Sequence, residues 1–257
     1  MTRLSNGRPT ALLAPDRGQP SRRRRDWLSR QCPSFVDAFL ADAVPVRVDA
    51  GRVIVPADDI DCGVIGIVEG SVAVRLRSRR GVETLVSLRQ AGYWCGRCDL
   101  VALTPLDFVI AARVTTHLLH VPSDHVRRIL LDHPSASQAL AELASDEAQA
   151  LTTLLDVAFE RRPIARLARK LLHTAGAEPG EPLRLTQDDV AEMTSLSRGT
   201  VNRLLAELAA TGAITTAYGR LAIADRTRLL HAAGLAAADV AVAARPDHAT
   251  AAGVAAG

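Results

Sequence analysis

The chain holds a single lysine, Lys170, and aromatic side chains make up only 3% of its 257 residues. So few aromatics argue against the stacking platforms that bind RNA or single-stranded nucleic acid. No run of about 18 apolar residues occurs, so no membrane-spanning helix is expected. Residues 1–20 lack an apolar leader core, and the Arg22-Arg23-Arg24-Arg25 run is followed by the polar Asp26-Trp27-Leu28-Ser29-Arg30. A cytoplasmic location without a secretion leader is expected, and the four cysteines are expected to be reduced there. A glycine-rich phosphate loop, a GxSxG elbow and an HExxH helix are all missing, so an enzyme is not expected.

Hydrophobic residues make up 48% and charged residues 23% of the sequence, the balance of a globular protein. The length gives room for two domains of ordinary size. A net charge of +3 is modest, so any surface suited to nucleic acid has to be local. Nearly every one of the 31 basic residues is arginine. With alanine also abundant, that bias says little about DNA by itself.

Residues 185–214, LTQDDVAEMTSLSRGTVNRLLAELAATGAI, carry the most information. They read as a capped helix, a tight turn and a second helix. Thr186 is a candidate N-cap, with Asp188 and Asp189 in the first turn where negative charge suits the helix dipole. Ser197 is a candidate cap for the second helix, whose free N–H groups then sit at the end that enters a groove. Thr194-Ser195-Leu196 is short enough for the two-helix motif, and Gly212 suits the residue just past the second helix. At about 100° per residue, Val201, Leu204, Leu205 and Leu208 share one face. Arg198, Gly199, Asn202, Arg203 and Ala206 share the other. Arginine can fork onto guanine O6 and N7, and asparagine can pair with adenine N6 and N7, so this face suits the DNA major groove. Ile214-Thr215-Thr216, a turn at Tyr218-Gly219-Arg220, and Leu221-Ala222-Ile223 form a hairpin, which makes the module a winged helix-turn-helix. An amphipathic helix pair in an ordinary bundle is the plain alternative.

Residues 1–30, rich in Pro, Gly, Ser and Arg, read as a disordered tail. A short helix over about 34–41 leads into strand-like runs at 44–48, 53–55, 64–68, 71–76, 84–88, 108–113 and 117–121, the spacing of a compact antiparallel β domain. A helix starts at Pro122-Ser123-Asp124, and a longer one runs over about 135–159. Along it Leu140, Leu143, Ala144, Leu151, Leu154, Leu155 and Ala158 make an apolar stripe wide enough for burial on two sides, against its own β domain and against a second copy. A purely intramolecular packing helix is the alternative. Arg161-Arg162-Pro163 breaks the pattern, since proline suits a first helical turn. A helix from Pro163 to about residue 174 follows, and another over 225–233 closes the module. The fold class is α+β, divided into a tail (1–30), a β-roll sensing domain (31–133), a dimerisation helix (134–160), a winged helix-turn-helix (161–231) and an Ala-rich tail (232–257).

With these parts in this order, the chain resembles the Crp/Fnr family of bacterial transcription regulators over about residues 34–231. The segments that carry the resemblance are VDAGRVIVPADDIDCGVIGIVEGSVAV (48–74), GYWCG (92–96) and LTQDDVAEMTSLSRGTVNRLLAEL (185–208). The resemblance implies a homodimer with a cyclic-nucleotide-binding-like β-roll and a long dimerising helix. It also implies a winged helix-turn-helix that reads a palindromic operator in double-stranded DNA, with RNA polymerase as a further partner. It assigns base contacts to Arg198 and Arg203 and phosphate contacts to Thr186 and Thr200. Gly199 stands where the best-known members carry glutamate, and Asn202 is not the commonest choice, so the operator is expected to differ from theirs.

The effector pocket implied by the resemblance involves Cys95, Gly96, Arg97, Cys98, Leu106, Asp107, Thr152 and Thr153. In cyclic-AMP-binding members a glutamate follows the glycine that matches Gly96, and an Arg-Ser pair holds the phosphate. Here Arg97 follows Gly96, and Leu106-Asp107 takes the place of that pair. The purine-contacting Thr-Ser of the long helix matches Ala150-Leu151, beside Thr152 and Thr153. A buried phosphate needs compensating charge and donors, so an effector other than conventionally bound cyclic AMP is expected, or none. Cys95 and Cys98 have a spacing compatible with metal or disulfide. With Cys32 and Cys62 they could complete a four-thiolate set for zinc or an iron–sulfur cluster. The clustered N-terminal cysteines of the oxygen-sensing relatives are absent, however, and their internal cysteine matches Leu119, so no cofactor is the default. His117, His120, His125 and His133 are read as ordinary strand and helix histidines, since His117 and His120 point to opposite strand faces. A helix-turn-helix that contacts another protein, as an adaptor, is the remaining alternative.

Overall fold

The computed structural model describes residues 26–56, 62–96, 108–175, 182–183, 185–217 and 220–235. The chain divides into two compact units, residues 1–151 and 152–257.

In the first unit α1 (Pro33–Leu40) precedes eight strands: β1 (Val44–Val48), β2 (Val53–Val55), β3 (Val64–Glu69), β4 (Ser71–Arg77), β5 (Glu83–Gln90), β6 (Trp94–Gly96), β7 (Phe108–Ala112) and β8 (Thr116–Val121). They form two antiparallel four-stranded sheets, ordered β1-β8-β3-β6 and β2-β7-β4-β5. The expected runs all appear within a residue or two of their limits, because alternating branched residues specify one buried face. Strand β6 was not expected. Its three residues are too few to show a period.

β6 matters because it carries Trp94 into the core. A Cβ on Gly66 of β3 would lie 2.5 Å from the Trp94 ring, so glycine is what lets the indole lie across that strand. Trp94 packs with Trp27 and Phe39, which both meet Phe35, the ring centroids in contact lying 5.3–6.1 Å apart. Both tryptophans and two of the four phenylalanines thus gather in one cluster with Leu119, Val121, Leu140 and Leu143. This corrects the expected tail over residues 1–30. Residues 1–25 lie outside the described residues, but Trp27 and Leu28 are buried, and the Trp27 indole N–H donates to the Ala139 carbonyl at 2.7 Å. The arginine-rich context masked a core residue.

α2 (Ser123–Asp132) and α3 (Ala136–Phe159) follow. The apolar stripe expected along α3 resolves into two faces. Ala136, Ala139, Leu140 and Leu143 are buried. Ala141, Ala144, Ala148, Leu151, Leu155 and Ala158, spaced alternately by three and four, are exposed.

The second unit begins within α3 and continues through α4 (Pro163–Ala175), β9 (Pro182–Leu183), α5 (Gln187–Thr194), α6 (Arg198–Ala210), β10 (Ile214–Ala217), β11 (Arg220–Ile223) and α7 (Arg226–Ala233). β10 and β11 pair as a hairpin from Ile214↔Ile223 to Ala217↔Arg220, and the two-residue β9 extends the sheet beyond β11. α4 packs against α5, α6 and α7. Among the described residues, no helix is long and apolar enough to cross a membrane.

Candidate nucleic-acid interface

The helix-turn-helix is pinned at each joint by local hydrogen bonds. The Thr186 side chain accepts from the Asp189 N–H at 3.1 Å, and the Asp189 carboxylate accepts from the Thr186 N–H at 2.7 Å. This closes a capping box around two of the free donors of α5. At the other end Ser195 adopts φ 54°, a left-handed conformation that non-glycine residues rarely take, and closes α5 with its N–H on Ala191 and Glu192 carbonyls. The Thr194 hydroxyl is buried and donates to the Val190 carbonyl at 2.6 Å. Ser197 then caps α6, accepting from the Thr200 N–H at 3.2 Å, and its hydroxyl lies 2.9 Å from that of Thr200.

α6 separates by face as its period requires. Val201, Leu204, Leu205 and Leu208 are buried. Arg198, Gly199, Asn202, Arg203 and Ala206 are exposed, and Thr200 is half-buried. Nothing lies within 4 Å of where a Cβ on Gly199 would stand, so this face has an open notch. Thr211 and Gly212, the latter at φ 74°, end the helix. Arg228 of α7 donates to the Thr211 carbonyl at 2.6 Å, placing positive charge at the negative end of the α6 dipole.

One feature of this face was missed from the sequence. The Arg198 Nε lies 3.5 Å from Asp188 Oδ1, across the turn, whereas sequence reasoning gave Asp188 only a dipole role. Both side chains are about two-thirds exposed, and a pair of that kind contributes at most about 1 kcal/mol to stability.

Arginines of α4 and the preceding joint hold the frame behind α6. Arg166 donates to the carbonyls of Glu160 and Thr194 at 2.9 and 3.1 Å, tying the end of α3 to the end of α5. Arg169 pairs with Asp156 at 2.6 Å and Glu160 at 2.8 Å and donates to the Ala233 carbonyl at 3.1 Å. The Arg162 N–H and guanidinium lower the Glu160 pKa despite some opposing burial, with Arg169 adding to the effect. Burial lowers the pKa of His173, partly opposed by Asp156 3.7 Å away.

In the β-roll, Gly96 ends β6, and its N–H donates to the Glu147 carboxylate of α3 at 3.2 Å. Sequence reasoning did not single out Glu147. Cys95 is buried with Cys62 among Val55, Ile65 and Leu118. Burial, then the Glu147 carboxylate, pushes its thiol pKa well above the ordinary value. The Arg89 guanidinium lies over the Tyr93 ring at 4.9 Å. Arg97, Cys98, Leu106 and Asp107 lie outside the described residues, and Thr152 and Thr153 fall in the other compact unit. Cys32 is elsewhere, exposed at the start of α1, with its sulfur 3.3 Å from the Ser135 hydroxyl. Hydrogen bonds from Ser135 and Ser34 lower its pKa. Among the described residues, no three or more His, Cys, Asp or Glu side chains converge as a metal site. The four-thiolate set is therefore not assembled from Cys32, Cys62 and Cys95. His120 contacts the Cys62 carbonyl through Nε2 at 2.8 Å, and His125 the Ala38 carbonyl at 2.9 Å.

The elements run in the order of a β-roll, a long helix and a capped helix-turn-helix with a wing. A family model described as a Crp-like helix-turn-helix domain matches residues 165–232. The "CRP-like cAMP-activated global transcriptional regulator" of Mycobacterium tuberculosis is 27% identical over 205 residues, spanning 77% of this chain and 91% of that protein. Among solved structures, FixK2 from Bradyrhizobium japonicum has a TM-score of 0.65 at 17% identity, covering 76% of this chain and 99% of its own. A CooA mutant from Carboxydothermus hydrogenoformans has a TM-score of 0.61 at 20% identity, covering 74% and 88%. The chain is thus similar to Crp-like transcriptional regulators, through a Crp-like helix-turn-helix domain over residues 165–232 and a relative that spans most of its length.

Proposed function

We propose that the chain is a cytoplasmic homodimeric regulator that reads a palindromic operator through α6. The observation that carries this reading is the division of α6: four leucine and valine side chains anchor it, while Arg198, Asn202 and Arg203 stand exposed on a helix capped at its leading end. Arg198 and Arg203 read guanines, Asn202 a neighbouring base, and Thr186, Ser197 and Thr200 approach phosphates, with the Gly199 notch altering the sequence preferred. The exposed stripe of α3 supports dimerisation, since its alternating three- and four-residue spacing is that of a two-helix seam. A two-fold dimer sets two reading helices about 34 Å apart, on successive half-sites. RNA polymerase is the proposed further partner. The proposed functional divisions are a β-roll ending at 133, a dimerisation helix over 134–160 and a winged module over 161–231.

The β-roll senses something other than conventionally bound cyclic AMP, although the M. tuberculosis relative is cyclic-AMP-activated by name. Arg97 replaces a carboxylate, Leu106-Asp107 replaces the phosphate-binding pair, and Glu147 already occupies the Gly96 N–H. A thiol sensor built on Cys95 is less well supported, because a buried thiol with a raised pKa is a poor nucleophile. Selection of bound duplexes from fragmented genomic DNA, with and without cyclic AMP, tests the whole reading. Enrichment of one palindrome, indifferent to cyclic AMP, is expected. Absence of any enriched sequence would return the module to the adaptor reading, and a large gain in affinity with cyclic AMP would refute the effector argument.

A further inference from the structure

Arg198 opens α6, and its guanidinium faces Asp188 of α5 across the turn, with Nε 3.5 Å from Oδ1. Both residues stand on fixed ground. The Thr186–Asp189 capping box sets the first turn of α5 around Asp188, and Ser197 sets the first turn of α6 around Arg198. A guanidinium carries five N–H groups in one plane. An aspartate at Nε engages the side of that plane and leaves the two terminal amino groups together as a fork. Two parallel donors are what guanine O6 and N7 accept in the major groove. The same carboxylate is anionic, as phosphate is, so it competes with the DNA backbone for Arg198 and repels phosphates that approach it.

We propose that Asp188 is a positioning residue for base reading: it aims the terminal fork of Arg198 at guanine and keeps that side chain off the backbone. The proposal rests on α6 being the reading helix. A role confined to the α5 dipole would make Asp188 matter for stability alone, and would leave sequence preference untouched when it is replaced.

The test uses the full-length protein, a random-sequence duplex pool, and affinities for the selected operator and for an unrelated duplex across a salt series. The variants are Asp188→Asn, Asp188→Glu, Arg198→Ala and the double change Asp188→Asn with Arg198→Ala. Asp188 and Arg198 are both exposed, so an unchanged far-ultraviolet circular dichroism spectrum at the assay temperature serves as the folding control. Asp188→Asn is expected to lose guanine preference at the same base pair that Arg198→Ala loses, lowering the operator-to-unrelated ratio about tenfold. Its binding to the unrelated duplex should tighten and steepen with salt by about one phosphate contact per protomer. Asp188→Glu should restore most of the preference, and the double variant should match Arg198→Ala. A normal ratio for Asp188→Asn, with Arg198→Ala still defective, overturns the proposal alone. A lost preference at a base pair that Arg198→Ala leaves intact also overturns it, by making Asp188 a direct base contact. Intact preference in Arg198→Ala overturns the reading of α6 and this proposal with it.

Discussion

Replacing Leu151 and Leu155 of α3 by alanine is expected to dissociate the proposed dimer without unfolding the chain. The two residues are 45% and 54% exposed in one copy, and alanine keeps helix propensity high at both positions. Leu→Ala removes about three methylene-sized groups, worth about 2.4 kcal/mol when fully buried. Only about half of each side chain remains to be covered by a partner, leaving about 1.2 kcal/mol per residue as the share at stake. Two residues in each of two copies make about 5 kcal/mol, an upper figure because solvent-exposed reference areas overstate burial. At 1.4 kcal/mol per decade, the dimer Kd should weaken by two to three orders of magnitude, or roughly 10²–10³-fold. Sedimentation equilibrium over a concentration series measures it, with far-ultraviolet circular dichroism confirming that α3 is retained. Leu131 of α2, 87% exposed but off α3, is the control, and Leu131→Ala should leave the Kd unchanged. An unaltered Kd in the double variant would remove the α3 stripe from the interface, and an equal effect from Leu131→Ala would show that surface hydrophobicity, not a seam, was being measured.

Arg203→Ala should relax preference at one base pair and cost about 1–3 kcal/mol per half-site. Uniform weakening across all duplexes in a selection would move Arg203 to the backbone. Ser197→Ala removes the cap of α6 and should lower stability by about 1 kcal/mol in a denaturant titration, while Ser197→Asp, which can cap equally well, should restore it but weaken DNA binding through charge. His173 makes the second unit sensitive to acid. Its folded pKa lies below the unfolded value of 6.5, so below about pH 6.5 the unfolded chain takes up the proton first and stability falls as pH drops toward the folded pKa. Glu160, lowered from 4.5, adds a second loss of the same sign at lower pH. Calorimetry of His173→Gln should show a flatter dependence between neutrality and the lower of these windows, and an unchanged slope would assign the acid loss elsewhere.

The helix-turn-helix was legible because its signals are local. Thr186, Ser197 and Gly212 fall where caps and terminators must stand, and the period of Val201, Leu204, Leu205 and Leu208 fixes which side is buried. The longer strands were legible for the same reason. The elements that escaped depend on distant partners. β6 and β9 have three and two residues and exist because β3 and β11 offer them edges. Trp27 sits in a polar stretch and becomes core only when Ala139 supplies a carbonyl for its indole. Glu147 meets Gly96 from 51 residues away, beyond the reach of any spacing rule. Asp188 and Arg198 lie ten positions apart on different helices, a separation that no helical or strand period connects.

The arginines show why composition and charge were poor guides to the DNA-facing surface. Several of them serve the frame, not the groove. Arg166 bonds the last carbonyls of α3 and α5, Arg169 those near the end of α7, and Arg228 the end of α6. Each meets the negative end of a helix dipole, where a guanidinium with several donors satisfies carbonyls that the helix leaves open. Arg166 reaches its two carbonyls through different nitrogens, Nε and Nη1, a span that the compact ammonium of lysine does not have. On the proposed reading, the charge offered to the groove is carried by position: Arg198 and Arg203 stand on one exposed face, the first of them 3.5 Å from Asp188. A reading surface built this way gains selectivity from aim more than from total charge. Its affinity for unrelated DNA should depend on salt less steeply than the arginine content of the module alone would suggest.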